Sequence, residues 1–386
     1  MTRAASLLLL CLALPLLADE LQRAHELAWA KRFAEAEALY RRLPESPAQQ
    51  LGLARVVMWQ GRYAEAIALF EKLEGVDALE GLATAQYWSG DWRAAARNFR
   101  RVLALDPGRT TPLPEILATA RPSQRVTVAG VVDDQPLELI RTEVAASLFS
   151  DPQTRWTVSL GRYDGDASGE LASVANETTI RRVTVAGSLG IFTWPDGVRR
   201  PVGSASVRRG SLSARVERVP EIATATSFDT HVASTLTALR WETDRRWLAA
   251  AEVSHRGYSD DNQGWAAFAY AMAPLQKKEW TFWGGGAVTA KDTAESRFFD
   301  GRYDPYWTPE DLVEGRAVVA VQRGAIKAHA DGGWARDRSR RYRPWRAGLT
   351  ANVPLARDFR IEAGVERSVT IDYRATAFHV SLVRRR

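Results

Sequence analysis

The 386-residue sequence has one cysteine, three methionines and five histidines. The cysteine, Cys11, lies in an apolar leader, so the remaining chain can form no disulfide and offers no thiol for catalysis or metal binding. After residue 18 no apolar run approaches the roughly 18 residues needed to cross a bilayer as a helix, which excludes a polytopic helical membrane protein. Charge of one sign is missing too. The 52 basic and 46 acidic residues are spread along the chain, and the formal charge of +6 is too mixed to predict a nucleic-acid partner. Gly-x-Ser-x-Gly, His-Glu-x-x-His, phosphate-loop and Rossmann patterns are all absent. No catalytic residue, metal site or cofactor is predicted, and the enzyme class is kept only as a minor alternative.

What is present begins with Met1–Ala18, where Arg3 precedes an apolar stretch Leu7–Leu17 and Ala18 stands before Asp19 and Glu20. This reads as a secretory signal. A repeat follows. Trp29-Ala30-Lys31-Arg32-Phe33-Ala34-Glu35-Ala36 recurs as Trp59-Gln60-Gly61-Arg62-Tyr63-Ala64-Glu65-Ala66 and as Trp88-Ser89-Gly90-Asp91-Trp92-Arg93-Ala94-Ala95. The aromatic positions 33, 63 and 92 are spaced 30 and 29 residues apart. Alanine-rich segments with leucine at helical spacing, a glycine or lysine at the turn and an aromatic packing on the second helix predict helical hairpins. The pattern resembles the tetratricopeptide repeat, which places Ala36, Ala66 and Ala95 at the close-packing position, Tyr40, Phe70 and Phe99 four residues later, and Asp106-Pro107 at the end. The copies are shorter than the usual 34 residues, which predicts one clipped helix per pair. Residues 19–107 are therefore assigned to the repeats, and the proline-punctuated stretch 108–122 to a linker.

From Ser123 the period changes from helical to strictly alternating. Trp345, Ala347, Leu349, Ala351 and Val353 oppose Arg346, Gly348, Thr350 and Asn352. Ile326, Ala328, Ala330 and Trp334 oppose Lys327, His329 and Asp331, while Trp247, Ala249, Ala251 and Val253 oppose Glu252, Ser254 and Arg256. Such segments are strands with one apolar and one polar face. A soluble sandwich would alternate as well. These segments, however, reach roughly nine to twelve residues, the length of a tilted bilayer-crossing strand, against about five or six in sandwiches. Trp156, Tyr163, Trp241, Trp247, Tyr258, Trp265, Trp280, Trp334, Trp345 and Tyr373 collect at segment ends, as girdles at two membrane interfaces would require. Residues 123–386 are predicted to form an antiparallel transmembrane β-barrel. About fifteen segments can be counted, and even closure predicts sixteen strands, with fourteen as the alternative. The ambiguous boundary is 199–220, where Gly210-Ser211 is either a hairpin or an interruption. The last strand carries Phe378, Val380 and Leu382 on one face.

On the polar faces Glu252, Arg256, Glu314, Arg316, Lys327, His329, Asp331 and Arg346 are candidate lumen groups. His329 beside Asp331 is the one arrangement resembling an acid–base pair. The strand region holds 37 basic and 32 acidic residues, a balance that names no particular polymer.

The order of signal, helical repeats and C-terminal barrel resembles the exopolysaccharide export porins, such as the cellulose and poly-N-acetylglucosamine exporters and the YaiO-type barrels. Tyr258-Ser259-Asp260-Asp261-Asn262 resembles their Tyr-Ser-Asp-Gly-Asn turn, departing at Asp261, and Tyr303-Asp304-Pro305-Tyr306-Trp307-Thr308-Pro309-Glu310 looks like their aromatic segment between strands. The resemblance implies an outer-membrane location with the repeats in the periplasm, passive export of a polysaccharide through the lumen, and repeats that dock periplasmic or inner-membrane synthesis proteins. It places Tyr258, Asp260, Asn262, Tyr303, Tyr306, Trp307 and Pro309 at a mouth or turn. The alternative is a non-conducting outer-membrane anchor that presents the repeats to a partner.

Overall fold

The computed structural model describes residues 19–134, 137–180, 182–244, 247–277, 279–299, 302–303, 305–338, 340–370 and 373–385. The predicted leader with Cys11, as well as Asp304 and Arg386, lies outside them. The chain divides into two compact units, helical up to Ala120 and strand-built from Arg121.

In the helical unit, α1 (19–29) pairs with α2 (Phe33–Tyr40), α3 (Pro47–Trp59) with α4 (Tyr63–Phe70), and α5 (Val76–Ser89) with α6 (Trp92–Leu105). The eight-residue α2 and α4 are the clipped members, whereas α6 runs to fourteen residues. Start signals are chemical: the Ser46 hydroxyl accepts from the Gln49 N–H before Pro47, and the Asp91 carboxylate accepts from the Ala94 N–H. The three hairpin turns place Lys31, Gly61 and Gly90 at φ 60°, 78° and 88°, so the repeat's glycine-or-lysine position is a left-handed turn residue.

The second-helix aromatics explain the packing. Tyr40 and Phe70 are fully buried and lie over Gly52 and Gly81, where an added Cβ would stand 2.5 and 2.3 Å from their rings. The proline-rich stretch 108–122 departs from its predicted role as a linker. It folds into α7 (Leu113–Thr119), because Pro112 and Pro114 fall at the helix start, where no intrahelical N–H bond is needed. Leu113 and Ile116 then bury against Phe99 and Ala95, closing the stack. With its own core and an apolar cap, the fragment Asp19–Arg121 is expected to give a cooperative helical melt by circular dichroism; a disordered spectrum would contradict an autonomous unit.

The strand unit is a closed antiparallel barrel. Its sixteen spanning strands are β1 (Ser123–Asp133), β2 (Glu138–Asp151), β3 (Thr154–Gly165), β4 (Gly169–Ile180), β5 (Val183–Thr193), β6 (Arg199–Arg209), β7 (Leu212–Pro220), β8 (Ala233–Thr243), β9 (Leu248–Tyr258), β10 (Gln263–Lys277), β11 (Thr281–Thr293), β12 (Leu312–Arg323), β13 (Ile326–Asp337), β14 (Arg340–Tyr342 with Trp345–Ala356), β15 (Phe359–Val369) and β16 (Arg374–Arg385). Closure is made by β1 and β16, in register from Ser123 opposite Arg385 to Asp133 opposite Ala375. The ambiguous region resolves as the hairpin β6–β7, with Gly210 at φ 57° in its two-residue turn. Strand β14 is broken at Pro344, which cannot donate to the ladder, although its carbonyl still accepts from Gly333 N–H at 3.1 Å.

Two faces follow from the alternation. Val158, Leu160, Val185, Leu189, Leu239, Val253, Val319, Leu349 and Val380 are exposed, while residues of opposite parity carry ion pairs between strands. In a closed barrel the first face is the exterior and the second the lumen wall. Exposed tryptophans form two belts: Trp156, Trp241, Trp247 and Trp280 at the end with short turns, and Trp265, Trp334 and Trp345 at the opposite end. Three tyrosines predicted for these girdles face inward instead. Tyr163 packs on Phe192, Tyr258 stacks on Tyr306, and Tyr373 lines an internal cavity.

Candidate functional site

Connections at the chain-terminal end of the barrel are two to four residues long, whereas those at the other end include 221–232 and 294–311. Both long connections turn inward. The first carries α8 (Ala225–Asp229), started by a reciprocal Thr224–Ser227 capping box. Its Phe228 enters a lumenal cluster with Tyr163, Phe192 and Trp194, and the Trp194 indole N–H donates to the Phe228 carbonyl at 3.0 Å. The second contains the hairpin Phe298–Phe299 with Arg302–Tyr303. It reaches β14, where the Arg340 guanidinium lies 4.3 Å from the centre of the Phe298 ring. The two connections meet where the Thr224 hydroxyl donates to the Pro305 carbonyl at 2.6 Å. Together they cover the mouth.

The two short motifs, read separately in the sequence, join to fasten this cover. Tyr306 is 1% exposed and stacks on Tyr258 with ring centres 3.8 Å apart and planes at 12°. Its hydroxyl donates to the Asp260 carboxylate, 2.7 and 2.9 Å from the two oxygens, and Arg297 pairs with Asp260 at 3.2 Å. Burial, then the hydrogen bond to Asp260, pushes the Tyr306 phenol up from its ordinary value. Buried Asn262 ties the same turn to the long connection: its amide donates to the Glu295 carbonyl at 3.0 Å, and its side-chain oxygen accepts from Glu295 N–H at 3.1 Å. Trp307 carries the Lys291 ammonium 4.1 Å from its ring centre. Thr308 is buried and accepts from Arg297 N–H at 2.6 Å, with Pro309 following in the same connection. Tyr303 lies in the short hairpin.

Asp261, where the sequence departs from Tyr-Ser-Asp-Gly-Asn, sits at φ 67°, the left-handed conformation that favours glycine. Asp261→Gly is expected to stabilise the barrel against urea by up to about 1 kcal/mol; a lower midpoint would contradict this.

The eight candidate lumen residues all lie on strand faces opposite the exposed apolar rows, and most belong to two ladders along the wall. In the first, the Arg316 guanidinium pairs with Glu314 at 2.6 Å and with Asp331 at 2.8 Å, and Arg346 holds the other Asp331 oxygen at 2.8 Å. Register explains this, because Asp331 is directly opposite Arg346. His329 does not pair with Asp331, whose oxygens are held by arginines. Its ring lies over Gly348, where a Cβ would come within 2.5 Å, and so reaches Glu366 two strands away at 3.1 Å. The acid–base arrangement read from the sequence is therefore not formed.

In the second ladder, Glu252 receives Arg215 at 3.2 Å and Arg240 at 3.5 Å. Nearby, Arg256 pairs with Glu221 of the inward connection at 3.0 Å and donates to the Ser234 hydroxyl at 2.9 Å. Lys327 is exposed near the short-turn end. Among the described residues no group of three or more His, Cys, Asp or Glu side chains is placed to hold a metal ion.

No protein-family model matches the sequence, and comparison with curated proteins found no match. The fold does match solved outer-membrane barrels. A structure described as a bacterial polysaccharide outer membrane secretin aligns with TM-score 0.57 at 10% identity, covering 69% of this chain and 99% of that one. CdiB from Acinetobacter baumannii aligns at TM-score 0.44 and 8% identity over 68% of this chain and 60% of that one. OpdK from Pseudomonas aeruginosa, with vanillate, aligns at TM-score 0.36 and 9% identity over 69% and 98%. The strand unit thus has the fold of an outer-membrane β-barrel.

Proposed function

We propose that this protein is an outer-membrane conduit for export of a secreted polysaccharide, with the short turns and helical repeats on the periplasmic side and the two inward connections covering the outer mouth. The observation carrying this reading is a closed sixteen-strand wall whose inner face holds charged groups in ladders that run along it. Arg316–Asp331, Arg346–Asp331 and Arg215–Glu252 join neighbouring or next-neighbouring strands. A lumen lined this way can exchange water for sugar hydroxyls repeatedly without trapping one unit. Short turns on the periplasmic side and longer connections outside are the usual arrangement of such barrels. The similarity in fold to the structure described as a polysaccharide secretin agrees with this reading. The repeats, stacked like tetratricopeptide hairpins, would dock a periplasmic or inner-membrane synthesis protein.

Bilayer conductance of the purified protein tests the conduit. Discrete steps whose cation selectivity rises with Lys327→Glu are expected, since this exposed side chain shares the parity of Asp331 and its replacement breaks none of the described ion pairs. A silent bilayer would favour the alternative, a non-conducting anchor for the repeats.

A further inference from the structure

Beneath the mouth cover the two connections leave a chamber of about 410 Å³ against the lumen wall. That volume falls in the range of roughly 300–1,000 Å³ typical of small-molecule sites. Its boundary combines three aromatic side chains, Trp307, Tyr342 and Tyr373, with Arg316, Asp337 and Arg340. Trp307 comes from a connection, Tyr342 from the short first segment of β14, and Tyr373 from the turn entering β16, so rings from three separate parts of the chain converge on one small space, whose wall is completed by the apolar Val131, Leu137, Ile222 and Ala223.

The two arginines lining this chamber are already matched by carboxylates, and the Lys291 ammonium beside it lies over the Trp307 ring and donates to the Trp307 carbonyl at 3.2 Å. Arg316 is held by Glu314 and Asp331 at 2.6 and 2.8 Å, and Arg340 by Asp337 at 2.7 Å. An entering carboxylate or phosphate would lose its hydration and have to compete with these carboxylates for the cations. An uncharged sugar loses only hydroxyl hydrogen bonds. The Ser368 hydroxyl borders the same space and can both donate and accept, whereas the Thr224 and Thr370 hydroxyls, which donate to the Pro305 and Tyr373 carbonyls, offer acceptor lone pairs. The polarised C–H face of a pyranose ring suits the electron-rich faces of indole and phenol, with the dispersion gain of a large flat contact.

We infer that this chamber is a subsite for one or two uncharged pyranose units, with Trp307, Tyr342 and Tyr373 as the stacking surfaces and the Thr224, Ser368 and Thr370 hydroxyls as hydrogen-bonding partners. The assignment rests on the conduit reading and narrows it: the transported chain presents neutral sugar units at this point of the path.

Isothermal titration of the full-length detergent-solubilised protein with cellobiose, and with digalacturonate as the charged counterpart, tests it. Cellobiose is expected to bind, digalacturonate at least about tenfold more weakly, and Trp307→Ala to weaken cellobiose roughly tenfold. Tyr342→Ala serves as an independent variant, and heat-modifiable gel mobility confirms that each variant is folded. Cellobiose binding unchanged in both folded variants, digalacturonate binding the more tightly, or no cellobiose binding at all would each overturn the subsite. Conductance measured on the same preparations separates the two ideas. Channels that conduct but fail these titrations reject the neutral-sugar subsite alone, whereas silent bilayers reject the conduit.

Discussion

Tyr306→Ala is expected to raise the single-channel conductance severalfold. The side chain is the pin of the mouth cover, fully buried, stacked on Tyr258 and hydrogen-bonded to Asp260. Truncating a buried aromatic costs about 3–5 kcal/mol, and here the loss falls on one connection rather than on the strand ladder. Tyr306→Phe separates the contributions, because it keeps the stacking and gives up only the bond to a carboxylate, about 1.5–3 kcal/mol. Its conductance should lie between those of the wild type and Tyr306→Ala. Asp260→Ala removes the same bond together with the Arg297 pair and should resemble Tyr306→Ala more closely than Tyr306→Phe does. Equal conductance in all four proteins would show that the cover does not limit passage.

The second large effect is on stability. Asp331 has a side chain 1% exposed and is held by Arg316 and Arg346 from the strands on either side. Removing it leaves Arg316 with Glu314 alone and takes from the partly exposed Arg346 its nearest carboxylate, and breaking a buried ion pair from one side costs up to about 3–5 kcal/mol. Asp331→Ala should lower the urea midpoint accordingly, read as loss of the fast-migrating folded form on unboiled gels. Lys327→Ala on the same strand should stay within about 0.5 kcal/mol of wild type. Similar losses for the two would mean that the ladder does not support the wall.

The inner face was legible in the sequence because a strand's period of two sorts side chains without knowledge of neighbours. Ile326 and Trp334 fall on one side of β13 and Lys327, His329 and Asp331 on the other. Which groups pair is a matter of register between strands, and that is why the sequence alone sets His329 beside Asp331 whereas the open space over Gly348 directs it to Glu366. The same alternation already held a signal that Tyr163 is internal, since it is out of phase with Trp156, Val158 and Leu160 on β3; position at a strand end suggested a girdle instead.

The mouth cover was the least legible part. Short motifs single out Tyr258, Asp260 and Tyr306, but connections have no period, and nothing local brings residue 306 back to residue 258. Likewise, Pro112 and Pro114, which suggest a linker at 108–122, sit at the one end of a helix that tolerates them.

Efflux of a fluorescently labelled neutral oligosaccharide from proteoliposomes tests passage of a sugar chain most directly. Release from vesicles holding the wild-type protein, faster with Tyr306→Ala and absent from protein-free vesicles, is the predicted result. Full retention by vesicles carrying folded Tyr306→Ala protein would contradict the account.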